Sequence, residues 1–409
     1  MKIPEAYIAD AARTPIAKVN KDGISAYSPM HPVDQVAALV KKITERNNLK
    51  PEDIKDLKWG ATTFIREQGL CMARLAALVG LSDKVPGSIL GRMGGSGLNA
   101  IVSALCECSL GLNDLVIAGG SEDMSLISLG ADGYPEVNDI ETLKRIREKG
   151  VMIVEEVLPK SFLENHNFKT TLESAEIIAK KWNIKREELD KYAYDTHMKA
   201  NNTWEKGYFD REVIPIETPR NQLFKKDDGI RADTTLEKLA KLKPLFKDGL
   251  ITPGNASPIS VGAAATLIAN GAALSKHHLQ PRARLVGYAV VGTNVEEQLT
   301  GPIYAIPKAL ESASLNLNDI DLFQIGEAFA SEVLATQKEL NIPSERINVN
   351  GGAISLGHPP GATGVNVVVT GLHELERRYK ANEPNNKYLL VTLCIGFGQG
   401  IAAIFERIN

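Results

Sequence analysis

Apolar residues recur at helical spacing in several segments of the chain. Between residues 32 and 48 they fall at i, i+3 and i+4 positions, which is typical of an amphipathic helix with one buried face. The same spacing predicts further helices at residues 98–110, 137–149, 171–182, 186–206, 303–313 and 365–379. Short apolar runs predict strands at residues 5–11, 114–119 and 388–394.

Two parts of the chain repeat the same order of elements. A glycine-rich loop, a helix and a strand follow one another in residues 91–119 and again in residues 351–394. The repeat indicates two βα-rich halves related by internal pseudo-symmetry. Strands that alternate with helices favour mostly parallel sheets with helices on both faces, and such sheets place ligands at the carboxyl ends of strands.

Residues 126–250 interrupt this order. The segment is rich in charge, has few strand signals and contains three of the predicted helices. We therefore predict an N-terminal half at residues 1–125, an inserted domain at 126–250, a return to the N-terminal half at 251–275 and a C-terminal half at 276–409.

The segment 350–364 contains five glycines and two prolines in fifteen residues. Glycine tolerates positive φ and proline donates no hydrogen bond, so this composition predicts a bent loop leading into the helix at 365–379. His358 lies in that loop, where free backbone N–H groups of a helix N-terminus would face an anionic ligand. The loop is therefore the first candidate for a functional site.

Composition excludes several classes of protein. The 409 residues are 44% hydrophobic and 24% charged, and 47 basic against 50 acidic residues give a net charge of −3. This balance does not indicate nucleic acid as the main partner. The N-terminal residues show no secretory or membrane-spanning pattern, so we expect a cytoplasmic protein with no membrane partner. The four cysteines form no Cys-x-x-Cys pair, so we expect reduced thiols and no metal site.

Four ordered motifs resemble those of the thiolase family, enzymes that make or cleave 3-ketoacyl-CoA thioesters by Claisen chemistry. They lie at residues 118–125, 326–330, 351–364 and 393–400, and the similarity extends from about residue 9 to residue 405. The resemblance implies an α/β thiolase fold of two pseudo-symmetric halves in five α-β-α-β-α layers, with the insertion as a loop domain over coenzyme A. It also implies a homodimer or tetramer and an acyl-CoA or CoA substrate, with no other cofactor.

The resemblance also assigns roles to individual residues. His358 matches the histidine that activates the nucleophile and contributes to an oxyanion site. Cys394 matches the acid–base cysteine, and the Gly396 backbone N–H belongs to the same glycine-rich turn. Ser257 matches a position that contacts the pantetheine of CoA, and Phe329 a substrate-binding position.

The departures from the family pattern concern the chemistry. Gly94 stands where the family has its nucleophilic cysteine, and Gly326 stands where the Asn-Glu-Ala-Phe motif has its asparagine. One change would fit engineering of the chain, whereas two favour natural divergence. Phe397 replaces a glycine after Cys394, and we expect it to narrow the acyl pocket.

No other thiol is expected to substitute for the missing nucleophile. Cys106 and Cys108 lie twelve and fourteen residues beyond Gly94, about 18–21 Å along the helix at 1.5 Å per residue. Cys71 falls in a segment that in thiolases approaches the partner subunit.

The sequence therefore predicts a thiolase-family acyl-CoA C-acyltransferase whose activity is impaired. Two alternatives stay open. One is a catalytically silent subunit that binds CoA thioesters or serves a structural role. The other is a direct condensation of two thioesters, without an acyl-enzyme, in which Cys394 acts as base.

Overall fold

A computed structural model describes residues 5–126, 158–383 and 386–408. The helices are α1 Pro32–Arg46, α2 Met72–Gly80, α3 Ser96–Ser109, α4 Lys160–Asn165, α5 Thr171–Lys181, α6 Arg186–Glu205, α7 Leu236–Ala240, α8 Gly271–His277, α9 Gly301–Ala313, α10 Ala330–Leu340, α11 Ala353–Leu356 and α12 Pro360–Lys380. The strands are β1 Ala6–Arg13, β2 Ala17–Lys18, β3 Asp56–Gly60, β4 Gly87–Leu90, β5 Leu115–Asp123, β6 Ile216–Glu217, β7 Leu223–Phe224, β8 Ser260–Asn270, β9 Ala283–Gly292, β10 Leu322–Ile325, β11 Tyr388–Ile395 and β12 Gln399–Arg407. The helix predicted at 137–149 lies outside the described residues.

The two halves form equivalent sheets that meet along one seam. The N-terminal half has the strand order β4-β3-β5-β8-β1, and the C-terminal half continues it as β9-β12-β11-β10. At the seam, β1 pairs with β9 through Tyr7 opposite Arg284 and Ile8 opposite Ala283. Each half thus places its long strands, β8 and β12, at corresponding positions.

The prediction of mostly parallel sheets is wrong. Among the described strands, the pairs β3–β4, β3–β5 and β10–β11 are parallel, and the pairs within the central part of the sheet are antiparallel. The reason is that β8 inserts between β5 and β1, and β12 inserts between β11 and β9, each opposite in direction to both neighbours. Sequence spacing alone did not show where these returning strands insert.

Two helices pack between the halves as the central layer. Apolar side chains of α3 and α12 share one core with both sheets, including Leu98, Ile101, Val365 and Val368. Their first turns touch backbone to backbone, since a Cβ on Gly97 would lie 2.6 Å from the carbonyl oxygen of Gly361. Helices α1 and α2 cover the outer face of the first sheet, and α9 covers that of the second. This is the predicted five-layer order.

The helix that follows the glycine-rich segment begins earlier than predicted. Helix α12 starts at Pro360 rather than at residue 365, and the short helix α11 lies inside the segment expected to be a loop. Proline is favourable in the first turn of a helix because its missing N–H has no partner there anyway. The other predicted helices in the described residues agree within two residues at each end.

No described helix is long and apolar enough to cross a membrane.

Candidate active site

A cavity of about 450 Å³ opens where the two halves and the inserted segment meet. Most of its wall is apolar, with Met124, Leu172, Leu245 and Ile259 among the lining residues. Six of the seven residues singled out from the sequence also line it, namely Gly94, Ser257, Phe329, His358, Cys394 and Gly396. The fold therefore brings together residues that are up to 302 positions apart in the chain.

Gly326 is the exception. It borders a separate small cavity of about 30 Å³, together with Thr363 and Asn366 on α12. A Cβ at this position would make ordinary contact with the Leu393 side chain, at 3.4 Å. The position thus has room for a larger residue, but its backbone is not part of the main cavity wall.

Gly94 lies in a tight turn that leads into α3. Residues Met93–Gly95 form a 3-10 turn, and the hydroxyl of Ser96 accepts from Arg92 N at 2.8 Å and donates to Met93 O at 2.6 Å. Apart from chain neighbours, the one described heavy atom within 4 Å of a Cβ built on Gly94 is the carbonyl oxygen of Cys394, at 3.5 Å. The position therefore offers space for a side chain beside Cys394 and carries none.

His358 is a neutral imidazole held in one tautomer. The Thr363 hydroxyl lies 2.9 Å from His358 Nδ1 and 2.9 Å from Pro359 O. Since the hydroxyl donates its single proton to the carbonyl, it accepts from Nδ1–H, and the lone pair of the ring is left on Nε2. Burial lowers the pKa of His358 to about 4. At neutral pH the ring is therefore in the form that can accept a proton.

Glu122 fixes the loop that carries His358, and the sequence analysis missed this residue. Its buried carboxylate accepts from Gly361 N at 3.1 Å, from Thr62 N at 2.8 Å and from Gln68 Nε2 at 2.8 Å. These bonds tie the first turn of α12 to the segment after β3. The available signal was the pair of acidic residues, Glu122 and Asp123, at the end of the fully buried strand β5, inside one of the four motifs.

Cys394 carries a protonated thiol at the end of β11. Its backbone N–H donates to Glu332 Oε1 at 3.2 Å, and burial together with the Glu332 carboxylate raises the pKa of the thiol well above its ordinary value. An unperturbed thiol is already mostly protonated at pH 7. Cys394 is therefore prepared to donate a proton, whereas a base role needs a group that takes its proton first.

Glu332 is the second functional candidate that sequence reasoning missed. It is fully buried on α10, and its other oxygen accepts from Ala328 N at 2.9 Å. Burial raises its pKa as well. An acidic residue in the first turn of a helix is common for electrostatic reasons, so its position in the sequence gave no signal of a partner on β11.

Ser257 and Phe329 lie on adjacent backbone segments at the cavity wall. Ser257 N donates to Ala328 O at 3.0 Å, and Ala256 forms an antiparallel bridge with Phe329. Thr170 and Leu172, at the start of α5, line the same cavity. The return segment, α10 and the inserted domain thus form one wall.

Phe397 does not narrow the cavity as expected, since it is absent from the described residues that line it. Its ring stacks on Phe168 with centroids 5.5 Å apart and meets Phe162 edge-on at 6.3 Å. The residue holds a positive φ of 63° that a glycine would adopt without strain. Its aromatic ring anchors the segment that precedes α5.

The remaining cysteines lie away from this cavity. Cys71 and Cys106 are exposed, Cys108 is buried, and none of the three lines the cavity. Among the described residues, no group of three His, Cys, Asp or Glu side chains could hold a metal ion.

The chain thus has two pseudo-symmetric α/β halves, and the cavity where they meet the inserted segment is lined by a neutral imidazole and a thiol. The thiolase N-terminal domain family matches residues 6–272, and the thiolase C-terminal domain family matches residues 279–407. The chain belongs to the thiolase family.

Relatives and solved structures agree over the full length. A 3-ketoacyl-CoA thiolase of Bacillus subtilis is 35% identical and covers 98% of this chain and 99% of its own. The crystal structure of a Bacillus anthracis acetyl-CoA acetyltransferase superposes with a TM-score of 0.84 at 33% identity, covering 99% of both chains. Human mitochondrial 3-ketoacyl-CoA thiolase in complex with CoA gives a TM-score of 0.84 at 32% identity, covering 100% of this chain and 99% of the human one.

Proposed function

We propose that this chain binds CoA thioesters in the cavity beside Gly94 and that its C-acyltransferase activity is impaired at the covalent step. One observation carries the proposal: position 94 faces the Cys394 carbonyl with room for a side chain and has none, while His358 and Cys394 are retained. The related proteins include a 3-ketoacyl-CoA thiolase and a thiolase structure that contains CoA.

The chemistry explains why position 94 decides the outcome. Acyl transfer through an acyl-enzyme needs a nucleophile that forms a bond to the thioester carbonyl. Loss of such a group costs a factor on the order of 10⁶ in systems where the nucleophile was deleted. Gly326 adds to this loss if the asparagine expected there orients a water at an oxyanion site, since deleting one such donor costs about 3–4 kcal/mol.

Substrate binding uses other atoms and is expected to survive. The cavity wall formed by Ser257, Phe329 and the start of α5 does not depend on a side chain at position 94. Interactions that bind substrate and transition state equally lower KM without contributing to the chemical step. A protein with this wall can bind CoA while turning it over slowly.

The two alternatives make different demands on Cys394. A silent CoA-binding or structural subunit needs no reactive thiol. A direct condensation of two thioesters needs Cys394 as base, and the raised pKa of its thiol disfavours that role unless a neighbouring group takes the proton.

We also propose that the chain forms a homodimer, or a tetramer built from dimers, through α2 and the edge strand β4. Leu75, Leu78 and Val79 on α2 and the preceding Leu70 are exposed apolar residues beside this strand. An edge strand flanked by apolar side chains is suited to pairing with a second copy. Sedimentation at 44.4 kDa, the mass of one chain, at micromolar protein would contradict the dimer. A cytoplasmic location stays a prediction.

The proposed activity is tested with the native protein and acetyl-CoA. We expect the protein to retain its mass after incubation, because no acyl-enzyme forms, and to cleave acetoacetyl-CoA with CoA at a rate near the uncatalysed one. A covalent acetyl adduct, or thiolysis at the rate of an ordinary enzyme, would show that the nucleophile has been replaced by another residue.

A further inference from the structure

A second cleft, of about 1300 Å³, shares no described lining residue with the candidate active site. Helix α12 runs from one to the other, because its first residue, Pro360, lines the active-site cavity and its last, Lys380, lines the cleft. Twenty residues at 1.5 Å each place these two ends about 30 Å apart. The cleft is therefore separate from the active-site cavity.

The described lining of this cleft carries an excess of positive charge. Its three carboxylates belong to Asp10, Asp53 and Glu376. Its six arginine and lysine residues are Arg46, Lys50, Arg211, Lys276, Arg282 and Lys380. With the imidazoles neutral, the lining has three more positive than negative charges.

The three carboxylates already have partners. Asp10 pairs with Arg46 at 2.5 Å and with Arg282 at 3.3 Å. Glu376 also pairs with Arg282, at 2.5 Å. The Asp53 carboxylate accepts from a backbone N–H at 2.9 Å. The acidic groups of the cleft therefore neutralise its two innermost arginines and leave the other cations uncompensated.

Four cations of the cleft form no ion pair within the described part of the chain. They are Lys50, Arg211, Lys276 and Lys380. In addition, Nη2 of Arg282 is buried without a hydrogen-bond partner among the described residues. A buried polar atom without a partner is rare in folded proteins, and a bound ion or water is one of its ordinary explanations. These unmet donors indicate an anionic ligand.

Helix dipoles account for only part of this charge. Helices α1, α8 and α12 end at the cleft, and each has a basic residue in its last turn, where the negative end of the dipole favours cations. Lys50, Arg211 and Arg282 lie outside these helices. Their convergence on the same cleft therefore needs a different reason.

We propose that this cleft binds a compact phosphate-bearing anion with at least two negative charges, of the pyrophosphate type. Guanidinium and ammonium groups are the side chains that bind phosphate oxygens in proteins. A compact anion suits the site better than a nucleic acid, because the whole chain has a net charge of −3 and does not attract long polyanions. The proposal is independent of the proposed function.

Calorimetric titration of the native protein with inorganic pyrophosphate tests the proposal. Ionic strength is held constant, because salt screens exposed charges. One series contains saturating CoA, which fills the active-site cavity, and the other does not. We expect one pyrophosphate per chain in both series. No saturable heat at millimolar pyrophosphate, or heat only when CoA is absent, would overturn the proposal. ADP titrated in parallel with CoA present identifies the source of the anion, since a nucleotide site binds ADP more tightly than pyrophosphate and a site for the free anion does not.

Paired variants locate the binding. Arg211→Gln with Lys276→Gln removes two exposed, unpaired cations of the cleft and is expected to weaken pyrophosphate binding at least about tenfold, because hydrogen bonds between ionised groups are the strong ones. Arg220→Gln with Lys308→Gln is the matched control, since both residues are exposed and lie outside the cleft lining. Equal weakening by the two pairs would reduce the effect to net charge and overturn the site.

Lysine labelling gives an independent map of the site on the native protein. Acetylation by an N-hydroxysuccinimide ester, read by peptide mass spectrometry, is expected to slow severalfold with pyrophosphate at Lys50, Lys276 and Lys380 and to stay unchanged at Lys308. Protection at all four lysines, or at none, would contradict binding in the cleft.

Discussion

Gly94→Cys is expected to create a thiol that acetyl-CoA acylates. A Cβ at this position meets the Cys394 carbonyl oxygen at 3.5 Å, an ordinary van der Waals distance, so adding the Cβ needs no movement of the backbone. Replacing glycine where the backbone conformation is compatible stabilises a protein by about 0.4–1 kcal/mol, because the unfolded chain loses freedom. The variant is therefore expected to fold at least as well as the native protein.

The surroundings favour a reactive thiol at position 94. The position lies just before α3, whose fourteen residues give a helix N-terminus with a partial positive charge that lowers a thiol pKa. His358, whose pKa burial lowers to about 4, is neutral at pH 7 and has its Nε2 lone pair available as a base. Restoring a deleted nucleophile in such surroundings regains up to about 10⁶ in the covalent step.

Intact-mass spectrometry after incubation with acetyl-CoA measures this directly. We expect one added acetyl group on Gly94→Cys, located at residue 94 by peptide mapping, and none on the native protein. Gly94→Ala is the matched control, because it adds the same Cβ without a sulfur. If Gly94→Cys folds and binds CoA but stays unmodified, the helix and imidazole do not face the thioester, and the assignment of position 94 fails.

Three further predictions concern turnover and pH. Gly326 borders a separate cavity, so an asparagine there can act only through its side-chain amide. We expect Gly94→Cys with Gly326→Asn to cleave acetoacetyl-CoA faster than Gly94→Cys by a factor on the order of 10²–10³, the effect of one oxyanion donor. Equal rates would show that this amide does not reach the reaction. In the unfolded chain, imidazoles have a pKa near 6.5 and bind protons that the buried imidazoles of the native protein do not bind. The free energy of unfolding should therefore decline by about 1 kcal/mol per pH unit per group as pH falls from 6.5 toward 4. Urea titrations across this pH window measure the decline. The imidazoles concerned are those of His197 and His358, whose pKa burial lowers to about 4, and of His373, whose pKa burial lowers to about 3. Burial raises the pKa of Glu327 to about 7, above its unfolded value, so its stabilising contribution is lost as pH rises through 7. Glu327→Gln should therefore raise the melting temperature more at pH 8 than at pH 5, and an equal change at both would contradict this.

The sequence predicted the helices well because amphipathic spacing is a local pattern, and its motifs singled out residues most of which the fold brings to one cavity. The apolar spacing of α1 and the glycines around His358 are visible without a structure, and the shared motifs point to Cys394. The strand directions were not predictable in this way, since β8 and β12 pair with strands far away in the chain. Pairing direction is set by where a strand inserts, which is a property of the whole fold.

The missed residues share a physical reason. Glu122 and Glu332 accept from backbone N–H groups on distant segments, those of Thr62, Gly361 and Cys394, which lie 60, 239 and 62 positions away in the chain. A buried carboxylate has no sequence pattern that distinguishes it from the solvated acids common on helices and at strand ends. For Gly326 the sequence motif was misleading rather than silent. The motif suggested a place in the main cavity, whereas the structure places Gly326 beside a separate cavity.

The most direct test of the account is a calorimetric titration of CoA into the native protein. We expect saturable binding of one CoA per chain, because the wall formed by Ser257 and Phe329 needs no side chain at position 94. Ser257→Ala is expected to weaken this binding without changing the stoichiometry. Absence of both heat and thermal stabilisation at millimolar CoA would contradict a CoA-binding protein and leave the structural-subunit alternative.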